Sequence, residues 1–133
     1  MKNVRRIQLE VVALRNRYGS QNIVVSPKLS WVKIVGFPLK QGMYNLNATT
    51  IAIIIPPHFD SESVSECYVD SDLRFSNKKS LPHMWGSVHE QEGYIWLCFH
   101  QPGKKGYVLL DFIETLRAYF SDPNKYIKAN GGH

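Results

Sequence analysis

The sequence predicts a single α+β domain. Along the chain, an N-terminal helix is followed by a four-stranded antiparallel meander, a long loop and a C-terminal helix. The chain has 133 residues, which is enough for one hydrophobic core, and we expect one domain over residues 1–133. Apolar residues recur with helical spacing near both ends of the chain. Between them, short apolar runs follow one another closely. Because such short connections cannot hold crossover helices, neighbouring strands are expected to be antiparallel.

Composition and charge exclude several classes of protein. Apolar residues make up 44% of the chain and charged residues 20%, which is typical of a globular protein. The longest apolar run, residues 51–55, is far shorter than the roughly 20 residues of a membrane helix, so no membrane partner is expected. The basic N-terminus lacks the apolar segment of a secretory signal. We therefore expect a cytoplasmic protein with reduced thiols.

The first helix is predicted by apolar residues at steps of three and four. They are Val4, Ile7, Val11, Leu14 and Tyr18. Gly19 follows them and suits a helix C-terminus. Most charged residues of this segment fall outside the apolar stripe: Arg5, Arg6, Glu10, Arg15 and Arg17. The basic face is either a solvated helix surface or a docking surface for a partner.

Four strands are expected after this helix, because their residues are β-branched or aromatic and lie between turn residues. They are residues 23–26, 31–37, 49–55 and 67–69. The third is the most apolar, which favours a central position buried on both faces. Residues 38–47 contain proline, glycine and asparagine and are predicted to connect the second and third strands.

A long polar stretch follows the strands. Residues 70–92 predict a loop, and loops of this length in a small domain are usually functional or disordered. The last helix is predicted by apolar residues on one face: Leu109, Phe112, Ile113, Leu116 and Phe120. Residues 121–124 are expected to end it, and residues 129–133 to form a flexible tail.

The segment that could carry chemistry is residues 94–100. In an extended chain its side chains alternate, so Ile95, Leu97 and Phe99 would face the core. Trp96, Cys98 and His100 would then share the opposite face. A thiolate is the reactive form of cysteine, and it is favoured by positive neighbours such as His100, Lys104 and Lys105. Cys98 is thus a candidate nucleophile, although an inert thiol beside a surface histidine has the same pattern.

The remaining candidates give weaker signals. Cys67 alternates with Glu66 and shares a face with Val69, which predicts a core thiol. Three scattered histidines, His58, His83 and His89, lack the spacing of a metal site, and no metal is expected. There is no glycine-rich phosphate loop, so no cofactor is expected. The basic pairs at 5–6 and 78–79 are too short to argue for nucleic acid as a partner.

The order of these elements, together with several short motifs, resembles the ubiquitin-conjugating (UBC) fold over nearly the whole chain. The motifs are Gly36-Phe37-Pro38-Leu39, Gly42-Met43-Tyr44-Asn45, Ile53-Ile54-Ile55-Pro56, Tyr68-Val69 and Leu97-Cys98-Phe99-His100, followed by the helix from Leu109. The resemblance is to the prokaryotic ubiquitin-conjugating-like group called family E. None of these motifs is specific alone, and their order carries the resemblance.

The resemblance implies an acyl-transfer function and its partners. An activating enzyme would hold the C-terminal glycine of a ubiquitin-like protein as a thioester, and Cys98 would accept that acyl group before an amine attacks it. The long loop would be the active-site loop. Related genes imply a JAB-type metallopeptidase in the same pathway and, for some members, antiphage defence. Conjugating enzymes of this fold bind the activating enzyme through their first helix. The basic first helix of this chain, with Arg5 and Arg6, would correspond to that surface.

One departure separates the sequence from conventional members of the fold. These place a His-Pro-Asn motif before the cysteine, whereas this chain has Leu81-Pro82-His83-Met84. Members of family E, which this chain resembles, also lack that motif and have a histidine just after the cysteine. In this chain His100 stands at that position. His100 is therefore a second candidate catalytic residue. The departure leaves a catalytically silent adaptor as the alternative, and a small basic nucleic-acid-binding domain as a more distant one.

Overall fold

The computed structural model describes residues 4–55, 66–82, 84–85, 93–98 and 108–129. Within these ranges it describes the backbone, but not the side chains, at positions 66, 85, 98 and 108. The described residues form an α+β arrangement of three α-helices, a short 3-10 helix at Ser20–Asn22 and one antiparallel sheet. None of the helices in these residues combines the length and apolar character that crossing a membrane requires.

Both predicted helices are confirmed. The first, α1, spans Val4–Tyr18, and the second, α2, spans Val108–Ser121. A third helix, α3 at Pro123–Ala129, was not predicted because Asp122 and Pro123 were interpreted as a stop. They are instead the start of a new helix, since a side-chain oxygen of Asp122 accepts the backbone N–H of Lys125 at 3.2 Å and proline suits a first helical turn.

The sheet contains the predicted meander and extends it. Its strands are β1 Ile23–Val25, β2 Trp31–Pro38, β3 Ala48–Ile54, β4 Glu66–Asp70, β5 Met84–Trp85 and β6 Tyr94–Cys98. They lie in the order β1-β2-β3-β4-β6-β5, and the pairs are antiparallel. The four predicted strands are the first four. β5 falls inside the stretch predicted to be a loop, because a two-residue strand has no periodicity to detect. The architecture is consistent with a UBC-like fold.

The core lies between one face of the sheet and the two long helices. On α2, the five residues predicted to share a face are buried, and Tyr119 is buried with them. On α1 the buried apolar residues are Ile7, Val11 and Leu14, whereas Val4 is 48% exposed, so the predicted stripe starts one turn later. Tyr18 is half-buried. On β3 the inner residues Ile51 and Ile53 are fully buried, as expected of an internal strand.

A β-bulge in β2 turns one aromatic side chain toward α2. Ile34 pairs with Ile51 and Phe37 with Thr49, so β2 has one residue more than β3 between these pairs. Gly36 within the bulge has φ +74°, a conformation that other residues rarely adopt. After the bulge, Phe37 is buried with its ring 5.9 Å from that of Phe120. This gives a physical reason for glycine in the Gly36-Phe37 motif.

Candidate functional site

Cys98 is the last residue of β6, a strand that lies between β4 and β5. Its backbone is paired in register with Glu66 of β4. Ile95 and Leu97 are buried and Trp96 is half-buried, so the predicted alternation of faces is observed for these three residues. The side chain of Cys98 is not described, and residues 99–107, which include His100, Lys104 and Lys105, lie outside the described residues. The predicted catalytic pair therefore stays a prediction.

The other cysteine, Cys67, belongs to the core, as the sequence predicted. Cys67 is the second residue of β4, and 0% of its surface is exposed. Its thiol lies 3.7 Å from the backbone carbonyl of Leu97, the residue opposite it on β6. A nucleophile must reach its substrate, so a fully enclosed thiol in this position is unsuited to acyl transfer. If the chain carries out thiol chemistry, the remaining candidate is Cys98.

The polar stretch after β4 is partly ordered by contacts with the connection between β2 and β3. Tyr44 and Phe75 form an isolated β-bridge, and their rings stack with centroids 5.8 Å apart. The Asn45 side chain accepts the Arg74 N–H at 2.8 Å and donates to the Asp72 carbonyl at 2.7 Å. We call this arrangement of Asn45 with residues 72–74 the Asn45 clamp. It holds residues that the sequence predicted only as a loop.

The end of this stretch is attached to α2. The Tyr119 hydroxyl donates a hydrogen bond to the Pro82 carbonyl at 2.6 Å, and the ring of Tyr126 from α3 packs edge-on against Tyr119 with centroids 5.9 Å apart. Burial raises the pKa of Tyr119 well above its ordinary value, so the phenol stays protonated and remains a donor. His83, which follows Pro82, lies outside the described residues.

The outer surface of α1 combines charge with exposed apolar side chains. Arg5 is exposed, and Leu9 and Val12, which follow it at helical spacing, are 56% and 52% exposed. Large apolar side chains in a row on a basic helix are typical of an interaction surface. We call these three residues the α1 outer stripe. Arg17, by contrast, forms an ion pair with Glu114 of α2, with its Nη2 2.6 Å from a carboxylate oxygen.

Glu10 is the functional candidate that the sequence interpretation missed. It was assigned to the charged face of α1, but only 1% of it is exposed. Its Oε1 accepts the Leu109 N–H at 2.6 Å, near the start of α2, and its Oε2 accepts from Nε of Arg6 at 3.2 Å. The sequence did contain a signal for the burial of Glu10. Position 10 is three residues after Ile7 and four before Leu14, which places it beside the apolar stripe.

The predicted absence of a metal site is not decided by these residues. Within the described parts of the chain, no group of three or more histidine, cysteine, aspartate or glutamate side chains could hold a metal ion. His58, His83 and His89, which the sequence singled out, all lie outside them.

The described architecture is consistent with a ubiquitin-conjugating-like protein. The family model described as prokaryotic E2 family E matches residues 9–116, and the chain belongs to that family. The matched region runs from α1 through most of α2 and so includes both Glu10 and Cys98. Searches of curated proteins and of solved structures gave no match. Family membership gives a ubiquitin-conjugating-like role in general, with a ubiquitin-like protein and an activating enzyme as the general classes of partner.

Proposed function

We propose that this protein accepts a ubiquitin-like protein from an activating enzyme as a thioester on Cys98 and transfers it to an amine of a target. The observation that carries the proposal is the family match over residues 9–116, which spans Cys98. The burial of Cys67 supports the choice of sulfur, because it leaves Cys98 as the cysteine suited to an exchange between two proteins.

The proposed chemistry has two balanced steps. In the first, the Cys98 thiolate attacks the carbonyl carbon of the activating enzyme's thioester; a new C–S bond forms, and the activating enzyme's cysteine leaves as a thiolate. In the second, an amine attacks the same carbon, a C–N bond forms and Cys98 leaves as a thiolate. The amine loses one proton in this step, and a base must accept it.

His100 is the proposed acceptor of that proton. It lies two residues after Cys98 in the sequence, and the ordinary pKa of a histidine, about 6.5, lets a neutral imidazole accept a proton near neutral pH. The chain has no asparagine in the Leu81-Pro82-His83-Met84 segment that could serve the oxyanion, as the conventional motif does.

The test of Cys98 is thioester formation on a non-reducing gel. The protein is mixed with its cognate activating enzyme, ubiquitin-like protein and ATP. We expect a thiol-sensitive adduct with the wild type and with Cys67→Ala, and no adduct with Cys98→Ala. An adduct that persists in Cys98→Ala would overturn the proposal. A stable complex without any adduct would instead favour the silent adaptor.

The test of His100 separates loading from discharge. We expect His100→Ala to accept the ubiquitin-like protein but to release it to a free amine roughly 100-fold more slowly, a factor typical of the loss of a general base. Single-turnover discharge of the preformed thioester measures this rate. Discharge of His100→Ala at the wild-type rate would remove His100 from the mechanism.

We further propose that the α1 outer stripe and Arg6 contact the activating enzyme. Arg5 and the exposed side chains of Leu9 and Val12 offer charge and apolar area together, and Arg6 lies beside them on the same helix. A cytoplasmic location, a JAB-type peptidase in the same pathway and a role in antiphage defence follow from the family resemblance and are part of the same proposal.

A further inference from the structure

A groove lies at one end of the sheet, between the connection from β2 to β3 and the stretch after β4. Its volume is about 860 Å³, within the range of roughly 300–1,000 Å³ that is usual for ligand sites. Residues 40–43 form one wall, residues 75–77 and 79–80 form the other, and Asn124 of α3 also lines it. We call this site the Lys40–Lys79 groove.

Hydrogen bonds hold the two walls of the groove in place. The Ser76 N–H donates to the Met43 carbonyl at 2.9 Å, and this bond joins one wall to the other. Within the second wall, the Lys78 N–H donates to the Phe75 carbonyl at 2.8 Å, and the Phe75 N–H donates to the Lys79 carbonyl at 3.0 Å. Because the backbone of the walls is already ordered, a ligand that binds there loses little affinity to the ordering of loops.

Two side chains give the groove an apolar part. Met43 from one wall and Phe75 from the other are half-buried and pack against the core. The Phe75 ring also stacks with the ring of Tyr44, with centroids 5.8 Å apart, and this contact limits its movement. An apolar side chain placed against Met43 and Phe75 would remove more of their surface from water, which is favourable.

The charged part of the groove is basic. Lys40 on one wall and Lys79 on the other are both exposed, and neither forms an ion pair within the ranges that the structure describes. Among the described side chains that line the groove, none is acidic. Asp122, which precedes α3, is exposed, and one of its carboxylate oxygens accepts the Lys125 N–H. A negatively charged ligand is therefore complementary to this groove.

The groove lies away from the backbone of Cys98. β4 begins at Glu66, which pairs with Cys98, and it ends at Asp70. The carboxylate of Asp70 accepts a hydrogen bond from the Thr49 hydroxyl at 2.9 Å, so the end of β4 lies beside the start of β3. The two walls follow from these points, because one leads into β3 and the other continues from β4. The groove and the Cys98 backbone are thus at opposite ends of β4.

We propose that the Lys40–Lys79 groove binds an acidic segment of another protein. One apolar side chain of that segment contacts Met43 and Phe75, and its carboxylates lie near the two lysines. A small inorganic anion would use the lysines and leave the apolar part open. A nucleic acid usually needs a longer run of basic side chains and aromatic faces for its bases, whereas the Phe75 ring is already stacked. The proposal concerns binding and does not depend on the proposed acyl transfer.

Fluorescence anisotropy with defined peptides tests this binding. The probes are fluorescent peptides of about seven residues, in which a central phenylalanine, leucine or methionine is flanked by glutamates. We expect the full chain to bind at least one of them saturably, and about tenfold more weakly when its central residue is alanine. The same peptide with lysines in place of the glutamates should not bind. If none of the acidic peptides saturates at concentrations up to about 1 mM, the proposal is wrong.

Two adjacent lysines provide a matched control. Lys79 lines the groove, whereas Lys78 is equally charged and exposed but is not among the lining residues. We expect Lys79→Gln and Lys40→Gln each to weaken peptide binding about two- to fivefold, as for the loss of one exposed ion pair, and Lys78→Gln to weaken it less. Urea unfolding shows whether each variant is folded. Equal weakening by Lys78→Gln and Lys79→Gln would assign the binding to net charge and reject the groove.

Competition experiments distinguish the acidic segment from other anions. Unlabelled acidic peptide should displace the probe at a lower concentration than inorganic phosphate or a short oligothymidine does. More effective displacement by phosphate would reject the acidic segment in favour of a small anion, and more effective displacement by the oligonucleotide would reject it in favour of a nucleic acid. The readout is binding, so a chain that never forms a thioester on Cys98 still gives a result for the groove.

Discussion

Two tyrosine hydroxyls connect α2 to loops through the interior of the protein. Tyr44 donates to the Phe120 carbonyl at 2.5 Å, and Tyr119 donates to the Pro82 carbonyl at 2.6 Å. Burial, the largest cause in both cases, raises the pKa of each phenol far above its ordinary value of about 10. The folded protein therefore keeps these protons under conditions in which the unfolded chain would lose them.

The stability of the protein should consequently fall in alkaline solution. The contribution of each phenol is fully present below a pH of about 10, where both states are protonated, and is lost as the pH rises from there toward the raised pKa of the folded state. We expect Tyr119→Phe to lower the free energy of unfolding at neutral pH by about 1–2 kcal/mol, because the Pro82 carbonyl loses its donor. Above pH ~10 the variant should lose stability less steeply than the wild type.

Urea unfolding at neutral pH and at a pH of about 10.5 measures both effects. Equal loss of stability in the two proteins over this interval would contradict the assignment of the alkaline sensitivity to Tyr119. A neutral-pH stability equal to that of the wild type would show that the bond to Pro82 contributes nothing.

Loop order in this protein depends on contacts between segments that are distant in sequence. The Asn45 clamp joins the connection after β2 to the stretch after β4, 27 to 29 residues further along the chain. Ser76 adds a backbone bond to the Met43 carbonyl at 2.9 Å. A polar stretch bound in this way has few apolar residues to define a period, although several of its backbone N–H groups donate hydrogen bonds.

Removal of the clamp should loosen this stretch without unfolding the sheet. We expect Asn45→Ala to lower the free energy of unfolding by about 1–2 kcal/mol, since it removes the partners of the Arg74 N–H and the Asp72 carbonyl. Amide hydrogen exchange should accelerate more in residues 71–82 than in β2 and β3. The matched control is Asn47→Ala, an exposed asparagine two residues away. Similar exchange in both variants would contradict the clamp.

Features that depend on neighbouring residues could be predicted from the sequence, whereas a feature that depends on a contact between distant residues could not. The helices at both ends, the four strands of the meander and the core position of Cys67 were predictable, because each has a local period that burial imposes on the sequence. β5 was missed because it is short, and α3 because Asp122 and Pro123 were interpreted as the end of the preceding helix. The buried state of Glu10 was missed because its partner, Leu109, is 99 residues away. For the proposed site, the pattern around Cys98 predicts its chemistry, but the geometry of His100 stays a prediction.

The molecule as a whole carries a net charge of +5, and part of that charge is engaged in internal contacts. Arg17 pairs with Glu114 and Arg6 with Glu10, whereas Arg5 is exposed at the start of α1 beside Leu9 and Val12. Charges at the edge of an interface act mainly on the rate of association, and salt screens them. A substitution of Arg5 should therefore affect binding of the activating enzyme more than folding.

Arg5→Glu should slow loading by the activating enzyme. We expect the rate of thioester formation under limiting activating enzyme to fall about three- to tenfold at low salt, with a smaller difference at high salt. Lys125→Glu on α3 changes the net charge equally and is exposed elsewhere, so it should load at nearly the wild-type rate. Equal effects of the two variants would assign the result to overall charge and not to α1.

In the part of the chain that the structure describes, the outermost strands of the sheet are its shortest: β5 has two residues and β1 has three. Unpaired amides along a long, flat border can template the addition of another chain, and borders this brief offer few of them. The four longer strands, with their apolar inner residues, are each paired on both sides. Within the described residues, the two borders of the sheet therefore offer another chain little backbone to pair with.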